Sequence, residues 1–118
     1  MKVNSSQILK GTLEACILKL IKHKDMYGYE ITENLSKYGL SMVAKGTIYP
    51  LLLKLEKEHL LDSYLKESFD GPPRKYYKIS DNGIKFIIDF EKTWNEIKNS
   101  IDTILNLQGE SYGNEKNN

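Results

Sequence analysis

A chain of 118 residues that is 40% hydrophobic and 28% charged holds apolar material for one modest core. Its first apolar segment, Leu9 to Ile21, is interrupted by Lys10, Glu14 and Lys19; that excludes a membrane span and a secretory leader, and a cytoplasmic protein is expected. Cys16 is the only cysteine, which excludes an internal disulfide and fits a reducing compartment. The formal net charge is only +1, but it is unevenly spread: residues 1–80 carry 13 basic and 9 acidic side chains, a net of +4, and residues 81–118 carry 4 and 7, a net of −3. A basic N-terminal part suits a polyanionic partner, and the acidic C-terminal part has another task.

Met1 to Ser6 reads as a short polar lead-in, with Ser5 or Ser6 available to cap a helix. Leu9, Leu13, Cys16, Ile17, Leu20 and Ile21 recur at i, i+3, i+4 spacing, which predicts one amphipathic helix from Gln7 to about Lys24. Ile8 and Leu18 widen its apolar surface, as burial within the chain or against a second subunit would require. After the polar break His23-Lys24-Asp25, with Asp25 as cap, a second helix runs from Tyr27 to about Tyr38. Gly39 ends it by adopting positive φ. Leu40 to Val43 links it to a third helix within Ala44 to Leu61. Two helices joined this closely form a helix-turn-helix.

The third helix organises the rest. Ile48, Leu51, Leu52 and Leu55 make a buried stripe. The opposite side carries Lys45, Thr47, Tyr49, Lys54 and Lys57, donors suited to phosphates and base edges. Gly46 permits close backbone approach. Pro50, which lacks an amide proton, predicts a loosely wound or kinked first turn.

Leu60 to Glu67 reads as a strand, Ser68 to Pro73 as a turn of about six residues, and Arg74 to Ser80 as a second strand. This hairpin is a wing, with Arg74, Lys75 and Lys78 at its tip and second strand. Alternation sends Tyr76 and Tyr77 to opposite faces. Ser80 or Asp81 caps a last helix running to about Leu107. On it Ile87, Phe90, Trp94, Ile97, Ile101 and Ile104 fall at heptad a/d spacing. That helix spans about 40 Å, and a second copy is the economical cover for its stripe. Gln108 to Asn118 is a polar tail expected to be disordered. The fold class is therefore mainly α with a small β-hairpin. A winged helix-turn-helix occupies residues 1–80, a dimerisation helix 81–107 and a tail 108–118.

This order, with LKGTLEACILKLI at Leu9 to Ile21, MYGYEI at Met26 to Ile31, GTIYPLLLKLEKEHLL at Gly46 to Leu61 and GPPRKYYKIS at Gly71 to Ser80, resembles the PadR family of bacterial transcriptional regulators. It is similar to the compact subgroup with a single C-terminal helix. The resemblance implies a homodimeric repressor on a promoter palindrome of double-stranded DNA. The last helix would pack on the partner's first, and the two recognition helices would enter successive major grooves. It assigns DNA contact to Lys45, Gly46, Thr47 and Tyr49 and, in the wing, to Arg74 and Lys75. Lys54 lies within reach of a phosphate. Dimer contacts fall to Leu13, Ile17, Ile87, Phe90, Trp94, Ile97, Ile101 and Ile104. Some relatives bind planar aromatic effectors beside a tryptophan that corresponds to Trp94. Ala44 stands where many relatives carry a small hydroxyl residue, which removes a helix cap or phosphate donor.

Plainer readings stand beside these. Trp94 at an a/d position is dimer core unless its bulk holds a cleft open for a ligand. Cys16 on an apolar face is a small buried hydrophobe rather than a redox sensor. His23 and His59 lack metal-ligand spacing. Neither a Walker motif nor a zincin or GxSxG motif occurs, so neither enzymatic activity nor a cofactor is expected. The alternative function is a winged helix that holds a protein partner and binds no specific DNA.

Overall fold

A computed structural model describes residues 5–108. Its elements are α1 (Ser5–Leu9), α2 (Leu13–His23), β1 (Met26–Tyr27), α3 (Gly28–Lys37), α4 (Lys45–Lys57), β2 (Leu61–Ser68), β3 (Gly71–Ile79) and α5 (Asp81–Leu105). Most of the expected lead-in (residues 1–4) and tail (109–118) lies outside the described residues.

The helix expected from Gln7 to Lys24 is two helices. Gly11 adopts φ +90°, a left-handed conformation that a side-chain-bearing residue avoids. The Thr12 N–H and hydroxyl both donate to the Leu9 carbonyl at 2.9 Å and close the turn between α1 and α2. Asp25 does not cap α3. Glu30 does so in its place, accepting the Tyr27 N–H at 3.3 Å. Gly39 ends α3 with φ +98°. Its N–H donates to Ser36 at 3.0 Å and the Leu40 N–H donates to Leu35 at 2.8 Å, the paired bonds of a Schellman ending.

Met26 and Tyr27, too short to show a period, pair antiparallel with Tyr77 and Tyr76. The sheet therefore has three strands in the order β1-β3-β2. The wing turn is also shorter than expected, since β2 runs to Ser68 and β3 begins at Gly71. Pro72 and Pro73 sit where the register shifts between Lys66 and Ser68 and beyond the end of β1, so neither is asked for a ladder hydrogen bond.

The core is formed by Ile17, Leu18 and Ile21 of α2, Ile31 and Leu35 of α3, Ile48, Leu52 and Leu55 of α4, and Leu61, Tyr77 and Ile87. Leu51 packs against it only in part. The described residues divide into two units between Ile88 and Asp89, inside α5 rather than at its start. The opening turns of α5 belong to the first unit. The Ser80 hydroxyl accepts the Gly83 N–H at 3.0 Å and donates to the His59 carbonyl at 2.7 Å. A Cβ on Gly83 would collide with the Leu60 carbonyl oxygen, so only glycine fits there. This packing buries Ile87. Ile17 and Ile87, expected at a dimer surface, are 0% and 2% exposed within one chain and have no side-chain area left for a second copy. Leu13 is also buried in this core.

In the second unit, α5 carries Trp94, Ile97, Ile101 and Ile104 as an exposed apolar row. Phe90 is half-buried and stacks on Trp94 at 6.3 Å between ring centroids. Lys98 and Asp102 pair at i, i+4. Among the described residues no helix is long and apolar enough to cross a membrane.

Candidate nucleic-acid interface

The N-terminus of α4 is exposed and has no side-chain cap. Ala44 is extended, and only its carbonyl contributes, accepting the Thr47 N–H at 2.9 Å. The first N–H groups of a helix have no partner within it and carry its positive dipole end. Lys45, Gly46, Thr47 and Tyr49 are all exposed there. Gly46 faces open space, so its missing side chain serves no contact within the chain and leaves the backbone accessible. The helix is continuous through Pro50.

Tyr49 is held from beneath by Gly28. A Cβ at Gly28 would run into the Tyr49 ring. The glycine of MYGYEI thus sets the position of an exposed side chain on another helix. Nothing in the sequence pattern pointed to that pairing.

Two expected members of the basic surface are already committed. Lys54 pairs with Glu14 at 2.7 Å, and this bond raises its pKa. Lys75 lies on the helix-facing side of β3, next to buried Tyr77. It pairs with Glu56 at 2.9 Å, which raises its pKa as well. Glu56 also accepts a bond from the Ser63 hydroxyl. Ser63 first, then Lys75, hold its carboxyl below the ordinary value. The reason is strand alternation: Arg74 and Lys75 were grouped by sequence, but neighbours on a strand face opposite ways. Both lysines tie α4 to its surroundings, and a phosphate reaching either would compete with Glu14 or Glu56 for it.

Arg74 faces outward. Its guanidinium lies 4.6 Å from the Tyr27 ring centroid and 3.7 Å from exposed Asp70. Tyr27 is one of four tyrosines in a row: Tyr29, Tyr27, Tyr76 and Tyr64, with successive centroids 6.3, 5.3 and 5.8 Å apart. Lys45 sits 5.1 Å over Tyr29 and Lys66 sits 5.0 Å over Tyr76. The Tyr64 hydroxyl donates to Asp25 at 2.6 Å, a bond that pushes its pKa up to about 12. Of this row, only the alternation of Tyr76 and Tyr77 was legible from residue order. The row needs β1, whose two residues carried no readable strand signal.

A cavity of about 410 Å³ opens beside the α1–α2 turn, lined by Leu9, Leu13, Met42, Val43, Thr47 and Leu51 among others. Cys16 is half-buried against the core, and burial pushes its thiol up, which makes it a weak nucleophile.

This arrangement has close counterparts. Residues 17–88 match the model of the transcriptional regulator PadR-like family. The chain belongs to the PadR-like family. A PadR-like transcriptional regulator of Bacillus cereus is 42% identical, with a TM-score of 0.79, covering 86% of this chain and 99% of that one. A Streptococcus transcriptional regulator is 39% identical, with a TM-score of 0.77 and coverages of 85% and 98%. An uncharacterized protein of Lysinibacillus sphaericus is 35% identical over 102 residues, covering 85% of this chain and 94% of that protein. The PadR-like family is one of transcriptional regulators, not of enzymes. The mainly helical winged-helix architecture with a long last helix is that of the PadR-like structures it resembles.

Proposed function

We propose that this PadR-like chain is a sequence-specific DNA-binding repressor that acts in the cytoplasm as a homodimer. The observation that carries the reading is the exposed, uncapped and basic start of α4. Lys45, Thr47 and Tyr49 stand there beside free helix N–H groups, with outward Arg74 in the wing. A groove-reading helix needs donors at its N-terminus and a backbone contact to fix its register.

The exposed row Trp94, Ile97, Ile101 and Ile104, joined by Phe90, supplies the dimer surface. Two copies would set two reading helices about 34 Å apart, one DNA turn, on a palindrome. Bound there, the dimer blocks a promoter sterically. Trp94 at 42% exposure is a platform for a planar aromatic effector that changes this spacing and releases the DNA.

The test is fluorescence anisotropy with the duplex upstream of the protein's own gene and a scrambled duplex, at two salt concentrations. The proposal expects selective binding that weakens steeply with salt. It also expects loss of selectivity on Thr47→Ala and a uniform loss of affinity on Lys45→Gln. Weak binding to both duplexes at both salts would overturn it.

A further inference from the structure

Cations on a protein surface differ in how available they are. Lys54 and Lys75 are neutralised by Glu14 and Glu56. Lys45 and Lys66 rest over tyrosine rings, and among the described residues neither has a carboxylate partner within ion-pair distance. A ring holds a cation through its quadrupole and leaves the charge unneutralised. It also restricts the freedom of a long side chain, which lowers the entropy lost when a ligand is bound. Arg74 over Tyr27 is the third cation seated on this row; Lys37 over Tyr38 and Lys75 over Tyr77 make the same contact off the row. Arg74 also pairs loosely with solvent-exposed Asp70 at 3.7 Å.

Lys45, Arg74 and Lys66 lie over Tyr29, Tyr27 and Tyr76, the first three of the four rings in the row. Lys45 marks the start of α4, Arg74 lies on β3, and Lys66 lies on β2, opposite Arg74 in register. Tyr27, Tyr76, Tyr64 and Arg74 share the sheet face turned away from buried Tyr77. Asp25, which accepts the Tyr64 hydroxyl, keeps its negative charge at the Tyr64 end, away from the three cation-bearing rings. The face is therefore aromatic and carries an excess of cations, Lys45, Arg74 and Lys66 against Asp25 and Asp70, and it runs from the reading helix into the wing.

We infer that this tyrosine–cation row is a preordered rail for the DNA phosphate backbone, with Lys66 and the positioning residue Tyr29 as members of the interface. The inference rests on the DNA-binding reading above and extends it. The rail fixes how far the reading helix enters the groove, and it contributes affinity without sequence preference.

The full-length protein is titrated into two duplexes of about 30 base pairs, one of random sequence and one from upstream of its gene, over a salt series. Lys66→Gln is expected to weaken both by the same factor, about threefold to tenfold. It should also lower the slope of log affinity against log salt by about 0.9 per subunit. Lys66→Arg restores both. Tyr29→Leu is expected to weaken binding while leaving the slope unchanged, because Lys45 keeps its charge and loses only its support. Lys66→Gln with wild-type affinity and slope, while Lys45→Gln weakens binding, would overturn the rail and leave the DNA-binding reading intact. Unchanged affinity in Tyr29→Leu would overturn the positioning role. Absence of salt-dependent binding in the wild type would remove the functional reading itself, and the rail with it.

Discussion

His59 ends α4 as Gly39 ends α3. Its φ is +63°, its N–H donates to Glu56 at 3.0 Å, and the Leu60 N–H donates to Leu55 at 2.9 Å. The two endings share one hydrogen-bond pattern, but a side-chain-bearing residue in this conformation costs about 1–2 kcal/mol. Glycine there also loses more entropy on folding. His59→Gly is accordingly expected to stabilise the chain by about 0.5–1 kcal/mol, read as a higher thermal midpoint. Gly39 was legible because its residue type announces positive φ; His59 was not, because its residue type does not. Gly28 makes the complementary case. Gly28→Ala places a methyl group against the Tyr49 ring, and the ring yields because it is half-exposed. The expected result is a thermal midpoint lowered by a few degrees at most. DNA affinity should fall by roughly tenfold, the scale of one misplaced contact. Affinity equal to wild type would show that Tyr49 needs no such support.

At the scale of elements, α4 is fixed to the sheet by Glu56, which takes Ser63 of β2 and Lys75 of β3, and to α2 by the Lys54–Glu14 pair. Because folding lowers the Glu56 pKa, its contribution is present above the ordinary value of 4.5 and disappears as pH falls through the lower folded value. Lys75 is shifted upward, so its share is present below 10.5 and is lost only as pH rises through its higher folded value. Thermal melts of wild type and Glu56→Gln are expected to differ at pH 7 and to converge once pH has fallen through the lowered folded value of Glu56. A gap that persists in acid would contradict the assignment. The helices and the hairpin were readable from apolar spacing and alternation. Three details were not. Gly11 fell inside the single helix that apolar spacing predicted, and that spacing carries no sign of its φ of +90°. Pro72-Pro73 looked like turn and proved to be strand where no ladder bond is needed. The partners of Lys54 and Lys75 lie far away in sequence, at Glu14 and at Glu56, where no local pattern reveals them.

For the molecule as a whole, the proposed dimer rests on the a/d spacing of α5. That row was legible from Phe90 onward. Ile87 belonged to the same period but is consumed by the first unit's own core. A heptad pattern shows which side of a helix is apolar and not which neighbour covers it. Ile101→Asp places a charge in the middle of the proposed seam. It is expected to convert the protein to a monomer in sedimentation and to weaken binding to a palindromic duplex by roughly a hundredfold or more, because the two half-sites are then bound separately. The thermal stability of the first unit should be unaffected. A dimer that survives this substitution would place the contact elsewhere.

The most direct measurement is hydroxyl-radical footprinting of the full-length protein on the DNA upstream of its own gene. Two protected patches on one face of the duplex, centred about one turn apart (roughly 34 Å) and symmetric about a palindrome, are the predicted result. A single patch would contradict the paired reading helices. Uniform cleavage at saturating protein would contradict the claim that the start of α4 reads DNA.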